Sequence, residues 1–529
     1  MGYSKKLLSV AVPSLLALAV SASLQADVLP QSQKNSAWFV DGQQQVKDNV
    51  TLATKTRAKN VILFVGDGMG ISTLTAARIL KGQRAGNLGE EGYLSFEKFQ
   101  YSALVKTYNV DAQTPDSAGT MTAMMSGIKT DAGVVGVAAG VERGKCSTIK
   151  GNEVVTALQL AEIKGLATGV VSTARITHAT PAATYASSVE RNWEDISDMP
   201  EGTSDCQDIA LQLVNFERNL EQRFSGVDVD GIDVVMGGGR RHFLPKDKAA
   251  NSLDAVSEIE GDRTDGLNLV TQWQTQYPQG NYVMDQQGFD AIDTETTTKL
   301  FGLFNESHMQ YEADRSNDIA DEPSLSEMTE KAIKILDNND KGYFLSVESG
   351  RIDHAHHAGN AYNALNDTIE FAKAVQFAID NTDPSETLIL VTADHSHVFT
   401  IAGYPKRGNP ILGKVVGIGN TEPSKDANGK PYTTVGYTNG LGFHDLNNET
   451  NADAVYDLDP VSGRADISDV DTTTPGYHQE ALVPLGSETH AGEDITLHAQ
   501  GPGAQMVQGV MEQNMVFHII NQALALTEK

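Results

Sequence analysis

The chain has 529 residues and a formal net charge of −29, from 40 basic against 69 acidic side chains. Without a basic excess to neutralise phosphates, nucleic acid and anionic membrane surfaces are poor partners. The length exceeds the usual ~100–150-residue domain several-fold, so a large core is available.

In chain order, residues 1–26 read as a secretory signal peptide. Lys5 and Lys6 give a basic start, 7–20 is apolar, and the small residues Ala22 and Ala26 suit cleavage. The apolar stretch is short and broken by Pro13 and Ser14, whereas a membrane anchor needs roughly 20 apolar residues. The mature chain, 27–529, is therefore expected in the periplasm or outside the cell. In that oxidising setting Cys146 and Cys206 favour one disulfide over two buried thiols.

Apolar, β-branched runs at 61–65, 169–172, 232–236, 343–347 and 387–391 alternate with helix-like segments, the pattern of a largely parallel sheet covered on both faces. Between them, "NEVVTALQLAEIKG" has helical spacing and stops at Gly165. Ser324 and Glu327 form a capping box opening "SLSEMTEKAIKIL". Residues 361–379 and 504–525 also read as helices. From 404 to 486 the texture changes to Gly, Asn, Thr, Asp and Pro, predicting an inserted, hairpin-rich subdomain. Its acidic stretch "DAVYDLDPVSGRADISDVD" lacks EF-hand spacing and reads as a solvated face.

Chemistry-bearing residues collect after strands. "VILFVGDGMG" ends at Asp67, "YFLSVESGRIDHAHH" carries Glu348 and Asp353, and "LILVTADHSH" ends at Asp394, His395 and His397. Open α/β sheets bind ligands beyond the carboxyl ends of their strands, so these groups can converge from distant parts of the chain. Asp353 and His357 are four apart and share a face if helical; Asp394 and His395 are adjacent and suit a second ion. His490 in "SETHAGEDI" is the candidate third ligand for the first. His242, His308, His444 and His518 are read as packed or exposed imidazoles, with His354 and His356 intermediate. Ser117 in "TPDSAGTMTAMMSG" precedes a predicted helix and is a candidate nucleophile, although Asp-Ser is also an ordinary N-cap. "GDGMG" is neither a P-loop nor a dinucleotide fingerprint; its glycines allow close backbone approach around Asp67.

The motifs "GDGMG", "TPDSAGT", "HATPAATYA", "RNWEDISD", "VESGRIDHAHH", "TADHSHVF" and "ETHAGED", in that order from about 60 to 513, resemble the alkaline phosphatases, especially the animal-type and related bacterial enzymes. The resemblance implies a three-layer α/β/α sandwich and a homodimer. It implies hydrolysis of phosphate monoesters to alcohol and inorganic phosphate through a phosphoserine, with two zinc ions and one magnesium. On it, Ser117 is the nucleophile; Asp353, His357 and His490 hold the first zinc; Asp394, His395 and Asp67 hold the second. Asp67 bridges to magnesium with Thr180 and Glu348, Arg191 clamps the phosphate, and His397 orients Asp353. His178 and His354 match the animal-type pattern, and the 404–486 insertion resembles the crown lobe near the dimer interface. A calcium site near 304–322 is left open, because Asn305 stands where the family has an acid. The rival readings are a phosphodiesterase of the same superfamily and an exported metal-binding protein without catalysis. The second has no need of Ser117 and Arg191.

Overall fold

The computed structural model describes residues 28–50, 56–203, 206–449, 451 and 458–528. The expected signal peptide and part of the acidic stretch lie outside these residues. In chain order the strands are β1 (Asn60–Gly66), β2 (Tyr101–Lys106), β3 (Ala167–Arg175), β4 (Val234–Gly238), β5 (Asn281–Val283), β6 (Leu300–Leu303), β7 (Tyr343–Ser349) and β8 (Thr387–Ala393). They continue with β9 (Ser396–His397), β10 (Phe399–Ile401), β11 (Val435–Gly440), β12 (His444–Asp445), β13 (Tyr477–His478), β14 (Ala481–Pro484), β15 (His490–Ala491), β16 (Ile495–Gln500) and β17 (Gly509–Glu512).

A ten-stranded sheet runs β17-β2-β16-β8-β1-β7-β3-β4-β6-β5. All its pairings are parallel except those of β16, which lies antiparallel to both β2 and β8. The central strands β1, β7 and β8 are buried along their whole length, as their unbroken apolar runs require. Helices gather in two sets. Ser117–Ser126, Ala157–Ile163, Ala179–Tyr185 and Met515–Leu524 pack together, while Ile71–Arg84, Leu325–Leu336, Arg351–His357 and Ala361–Asn381 pack together around the other face. This is the expected α/β/α sandwich.

Local expectations hold with shifts. The run at 232–236 becomes β4 two residues later. The helix in "NEVVTALQLAEIKG" begins only at Ala157, because Thr156 caps it by accepting from Gln159 N while Gln159 reaches back to Thr156 N. The Ser324–Glu327 box forms as read. The predicted 504–525 helix is wrong over its first half. That segment holds a 3-10 turn Ala504–Met506 and then β17, which pairs with β2, and the helix starts at Met515. Gly509 at φ 71° sets the turn into the strand, a conformation that glycine adopts without a Cβ clash. Cys146 and Cys206 are joined in a disulfide with Cα atoms 5.7 Å apart. Within the inserted segment, β11 and β14 join β10 in a three-stranded sheet, and β12 pairs with β13.

Candidate metal centre

Register places the site. In the β8-β1-β7-β3 block, Gly66 aligns with Ala393 and Ser349, and Glu348 aligns with Val65 and Ser172. Asp67, Glu348 and Asp394 therefore emerge side by side at the carboxyl ends of neighbouring strands. The helix Arg351–His357 leaves directly from β7, which puts Asp353 and His357 on one face above the same edge. Antiparallel pairing of β15 with β9 sets His490 opposite His397 and so returns the chain from the insertion to the site.

Two convergent groups result. In the first, His357 Nε2 lies 3.3 Å from Asp353 Oδ1, and His490 Nε2 lies 3.4 Å from the same oxygen and 3.1 Å from His357 Nε2. The other ring nitrogens are engaged: His357 Nδ1 donates to Glu488 O at 2.6 Å, and His490 Nδ1 donates to Pro115 O at 2.8 Å. Both Nε2 atoms thus face each other and a carboxylate. In the second, His395 Nε2 is 3.3 Å from Asp67 Oδ1, 3.3 Å from Asp394 Oδ2 and 3.1 Å from Ser117 Oγ, which is itself 3.5 Å from Asp67 Oδ1. The rings of His395 and His490 stack at 3.6 Å, so the groups adjoin.

A third polar focus lies beneath. Thr180 Oγ1 is 3.4 Å from Asp67 Oδ2, so the two oxygens of Asp67 face different partners. Ser172 donates to Glu348 Oε2 and itself accepts from Ala174 N at 2.8 Å, leaving Glu348 Oε1 buried without a partner. Burial pushes the Glu348 carboxyl up to about 7, and burial with the neighbouring Asp394 and Asp353 charges holds Asp67 well above the usual range. Burial alone would raise Asp353 as well, but His357 and His397 hold it well below.

Ser117 opens the helix Ser117–Ser126, and Asp116 caps it by accepting from Gly119 N at 3.1 Å. The other oxygen of Asp116 accepts from Gly133 N at 2.9 Å and from Arg191 Nη1 at 3.0 Å. Asp116 is therefore both the ordinary cap and the anchor of Arg191, a second role that the sequence does not announce. Arg191 Nη2 lies 3.5 Å from His178 Nε2.

The remaining histidines separate by surroundings. His354 packs on His308 with centroids 4.0 Å apart and on His178 at 5.4 Å, and His308 is 5.4 Å from His178, so the three rings form one cluster. His356 sits between Thr73 Oγ1 (3.0 Å) and Tyr437 OH (2.8 Å) and touches none of the site carboxylates through those bonds. His242 is not solitary: it contacts Asp195 at 2.5 Å and Glu194 at 3.3 Å. His444 donates to Asp459 O at 3.0 Å near the surface, and His518 is buried in the core. Sequence reasoning missed Ser172 and Glu488. Ser172 could have been found once β3 and β7 were paired in register; Glu488 opens "ETHAGED", where His490 alone stands out as a ligand.

In the 304–322 segment, Asn305 Nδ2 donates to Asp318 Oδ2 at 3.2 Å and Glu322 Oε1 accepts from Gln310 N at 2.7 Å. Glu322 Oε2 and Asp254 Oδ1 are buried without partners. Burial, with Asp318 adding to it, holds Glu322 well above the usual range.

The family model described as "Alkaline phosphatase" matches residues 58–526. The rat tissue-nonspecific alkaline phosphatase is 42% identical over 516 residues, covering 96% of this chain and 92% of the relative. The alkaline phosphatase of Gadus morhua is 40% identical over 504 residues, covering 94% and 98%. Among solved structures, the Thermus thermophilus alkaline phosphatase superposes with a TM-score of 0.60 at 23% identity, covering 89% of this chain and 92% of that one. The enzyme from the Antarctic bacterium TAB5 does so at 0.57 and 21%, covering 89% and 99%.

Proposed function

The chain belongs to the alkaline phosphatase family, metal-dependent enzymes that hydrolyse phosphate monoesters, and from that premise we propose that Ser117 is its nucleophile and that two zinc ions and one magnesium complete the site. The observation that carries the reading is the facing of the His357 and His490 Nε2 atoms at 3.1 Å beside Asp353. Two imidazole nitrogens and a carboxylate oxygen converge there at the spacing of ligands around one shared cation. Zinc bonds of ~2.0–2.2 Å in a tetrahedron put ligand atoms about 3.3 Å apart. The first group's edges are 3.1–3.4 Å and the second's are 3.1–3.5 Å. Both donor sets, nitrogen with carboxylate oxygen, suit zinc. The all-oxygen set of Asp67, Thr180 and Glu348, with Glu348 Oε1 unpartnered, suits magnesium.

Such ions lower the pKa of a coordinated hydroxyl and offset charge that develops during phosphoryl transfer. The rest falls to the chain. Ser117 Oγ, at the amino end of its helix, attacks phosphorus; the ester P–O bond breaks, the alcohol leaves, and a phosphoserine remains. Water then attacks the same phosphorus and restores Ser117 with release of inorganic phosphate. Arg191, held through Nη1 by Asp116 and with Nη2 3.5 Å from His178, turns the remaining N–H groups of its planar fork to phosphate oxygens, a geometry that lysine cannot reproduce. Positioning of this kind supplies most of the catalysis in loose phosphoryl transfer.

The same reading covers the remaining expectations. The orphaned oxygens of Glu322 and Asp254, close to Asp318, support a calcium ion there despite Asn305. Residues 27–529 form the catalytic domain, with 404–486 an insertion. Exposed Tyr404 (95%) and Leu482 (81%) on that insertion support a homodimer contact. The pattern of residues 1–26 supports export, and no helix among the described residues is long and apolar enough to cross a membrane.

The test pairs metal analysis with turnover of a nitrophenyl monoester and its bis-ester before and after chelation. Monoester turnover that is lost with zinc and regained with it is expected, with an acid-stable phosphoserine in the wild type and none in Ser117→Ala. An undiminished phosphoserine in that variant removes Ser117 from its role, and preferred bis-ester turnover refutes the monoester reading.

A further inference from the structure

Glu488 is fully buried, and both its carboxylate and its main chain reach into the first zinc group. Its carboxylate accepts from His397 Nδ1 at 2.5 Å and from Val398 N at 2.8 Å. His397 spends its other nitrogen on Asp353 Oδ1 at 2.7 Å. The main chain of Glu488 holds His357 twice: Glu488 N donates to His357 O at 2.9 Å, and Glu488 O accepts from His357 Nδ1 at 2.6 Å. Two residues further on stands His490.

Glu488, His357 and His397 lie close enough to be taken for a cation site of their own. The hydrogen bonds argue otherwise. Both His397 nitrogens and His357 Nδ1 are engaged, so neither ring offers a lone pair to an ion beside Glu488, and each Glu488 oxygen already accepts an N–H. Glu488 instead acts one step away from the metal, where hydrogen bonds fix the tautomer and orientation of the ligands.

The segment carrying Glu488 is gripped by the insertion. Asn439 of β11 exchanges two hydrogen bonds with Thr489, at 2.9 and 3.0 Å, and Leu485 N donates to Gly440 O at 2.9 Å. A Cβ on Gly440, at φ 132°, would meet Glu488 Cβ at 3.0 Å, so the two backbones pack closely. On the opposite side, Tyr437 of the same strand reaches His356, whose ring lies 4.8 Å from that of His397.

We propose that Glu488 is the positioning residue of the Asp353/His357/His490 site: it aims Asp353 through His397 and His357 through its own main chain, and it makes zinc affinity there depend on the inserted segment. This deepens the reading of those three residues as zinc ligands and rests on it.

The experiment measures zinc affinity by chelator competition on full-length wild type, Glu488→Gln, His397→Ala, the double variant and His490→Ala, with the thermal midpoint of each zinc-free protein. Glu488→Gln keeps the shape but turns an amide N–H toward one of two donors. It should weaken one zinc by about 10–100-fold, the range typical of such outer partners, and leave the other zinc bound as in the wild type, with the zinc-free protein still folded. The double variant should bind zinc no more weakly than His397→Ala alone, because the side chain acts through that ring. Unchanged affinity in Glu488→Gln, multiplied losses in the double variant, or equal loss of both zincs with a lowered midpoint would each overturn the proposal. If His490→Ala binds zinc as the wild type does, the underlying ligand assignment fails instead.

Discussion

Replacing His490 by Ala tests the ligand assignment most directly, and the structure sets the size of the effect. His490 contributes one of three protein donors around the position between His357 and Asp353, and its Nδ1–H is fixed by Pro115 O. Apparent zinc free energies of about 10–16 kcal/mol over four ligands correspond to roughly 3–4 kcal/mol per ligand, or about 10²–10³-fold in affinity. One zinc equivalent should therefore be stripped by a competing chelator at a concentration that leaves the wild type loaded. The second group has no bond to the deleted ring beyond the stack with His395, so its equivalent should stay. Metal analysis after dialysis in graded zinc buffers reads both numbers, and circular dichroism checks that the variant is folded. Two retained equivalents, or loss of both in a folded variant, would refute the arrangement of two separable groups.

Other outcomes follow from single contacts. Ser172→Ala removes the donor to Glu348 Oε2, and magnesium affinity in calorimetric titration should fall about 10-fold while zinc content stays. Burial raises the Glu348 carboxyl to about 7 in the metal-free protein, so the protonated form dominates below that pH. Magnesium uptake should weaken as pH falls through 7, with a proton released per ion bound there. The raised value also makes this group's stabilisation of the metal-free fold greatest below the ordinary carboxylate range and lost as pH rises through 7, which denaturant midpoints would show with opposite sign if the group were ionised throughout. Replacing Cys146 and Cys206 by Ser opens a loop spanning a sequence separation of 60 and should cost up to about 4 kcal/mol in unfolding free energy by chemical denaturation.

The parts legible in the sequence were those with a one-dimensional signature. β1, β7 and β8 are buried on both faces, and their unbroken apolar runs stand out from neighbouring helices. β2 and β16 alternate buried with exposed residues, and Ser102, Lys106, His498 and Gln500 dilute their apolar signal until the partner strand is known. The site was readable because acids and histidines at strand ends have few structural uses, so Asp67, Asp353, His357, Asp394 and His395 declare themselves. Ser172, Asp116 in its second role and Glu488 do not. Each is an ordinary polar residue whose importance comes from a partner 75 to 176 residues away, and only the folded register supplies that partner.

The proposed ions also account for how a chain with a net charge of −29 would draw in a phosphate dianion. Within the site the proposed ligands include four carboxylates, from Asp67, Glu348, Asp353 and Asp394. Elsewhere in the pocket the charges pair off. Asp116 meets Arg191, and Glu488 meets His397, whose ring gains protons up to about 10 because burial is outweighed by Glu488 and Asp353. The three divalent ions proposed above would leave two positive charges against those four carboxylates, matching a monoester's dianionic phosphate and exceeding a diester's single charge. At ordinary ionic strength the surface field decays within a Debye length of about 8–10 Å, while a buried, partly desolvated site is screened far less. The acidic surface therefore leaves affinity to the local charge, and chelation should abolish phosphate binding as well as turnover. Phosphate bound equally well by the stripped protein would show that Arg191 alone suffices and that this charge argument is wrong.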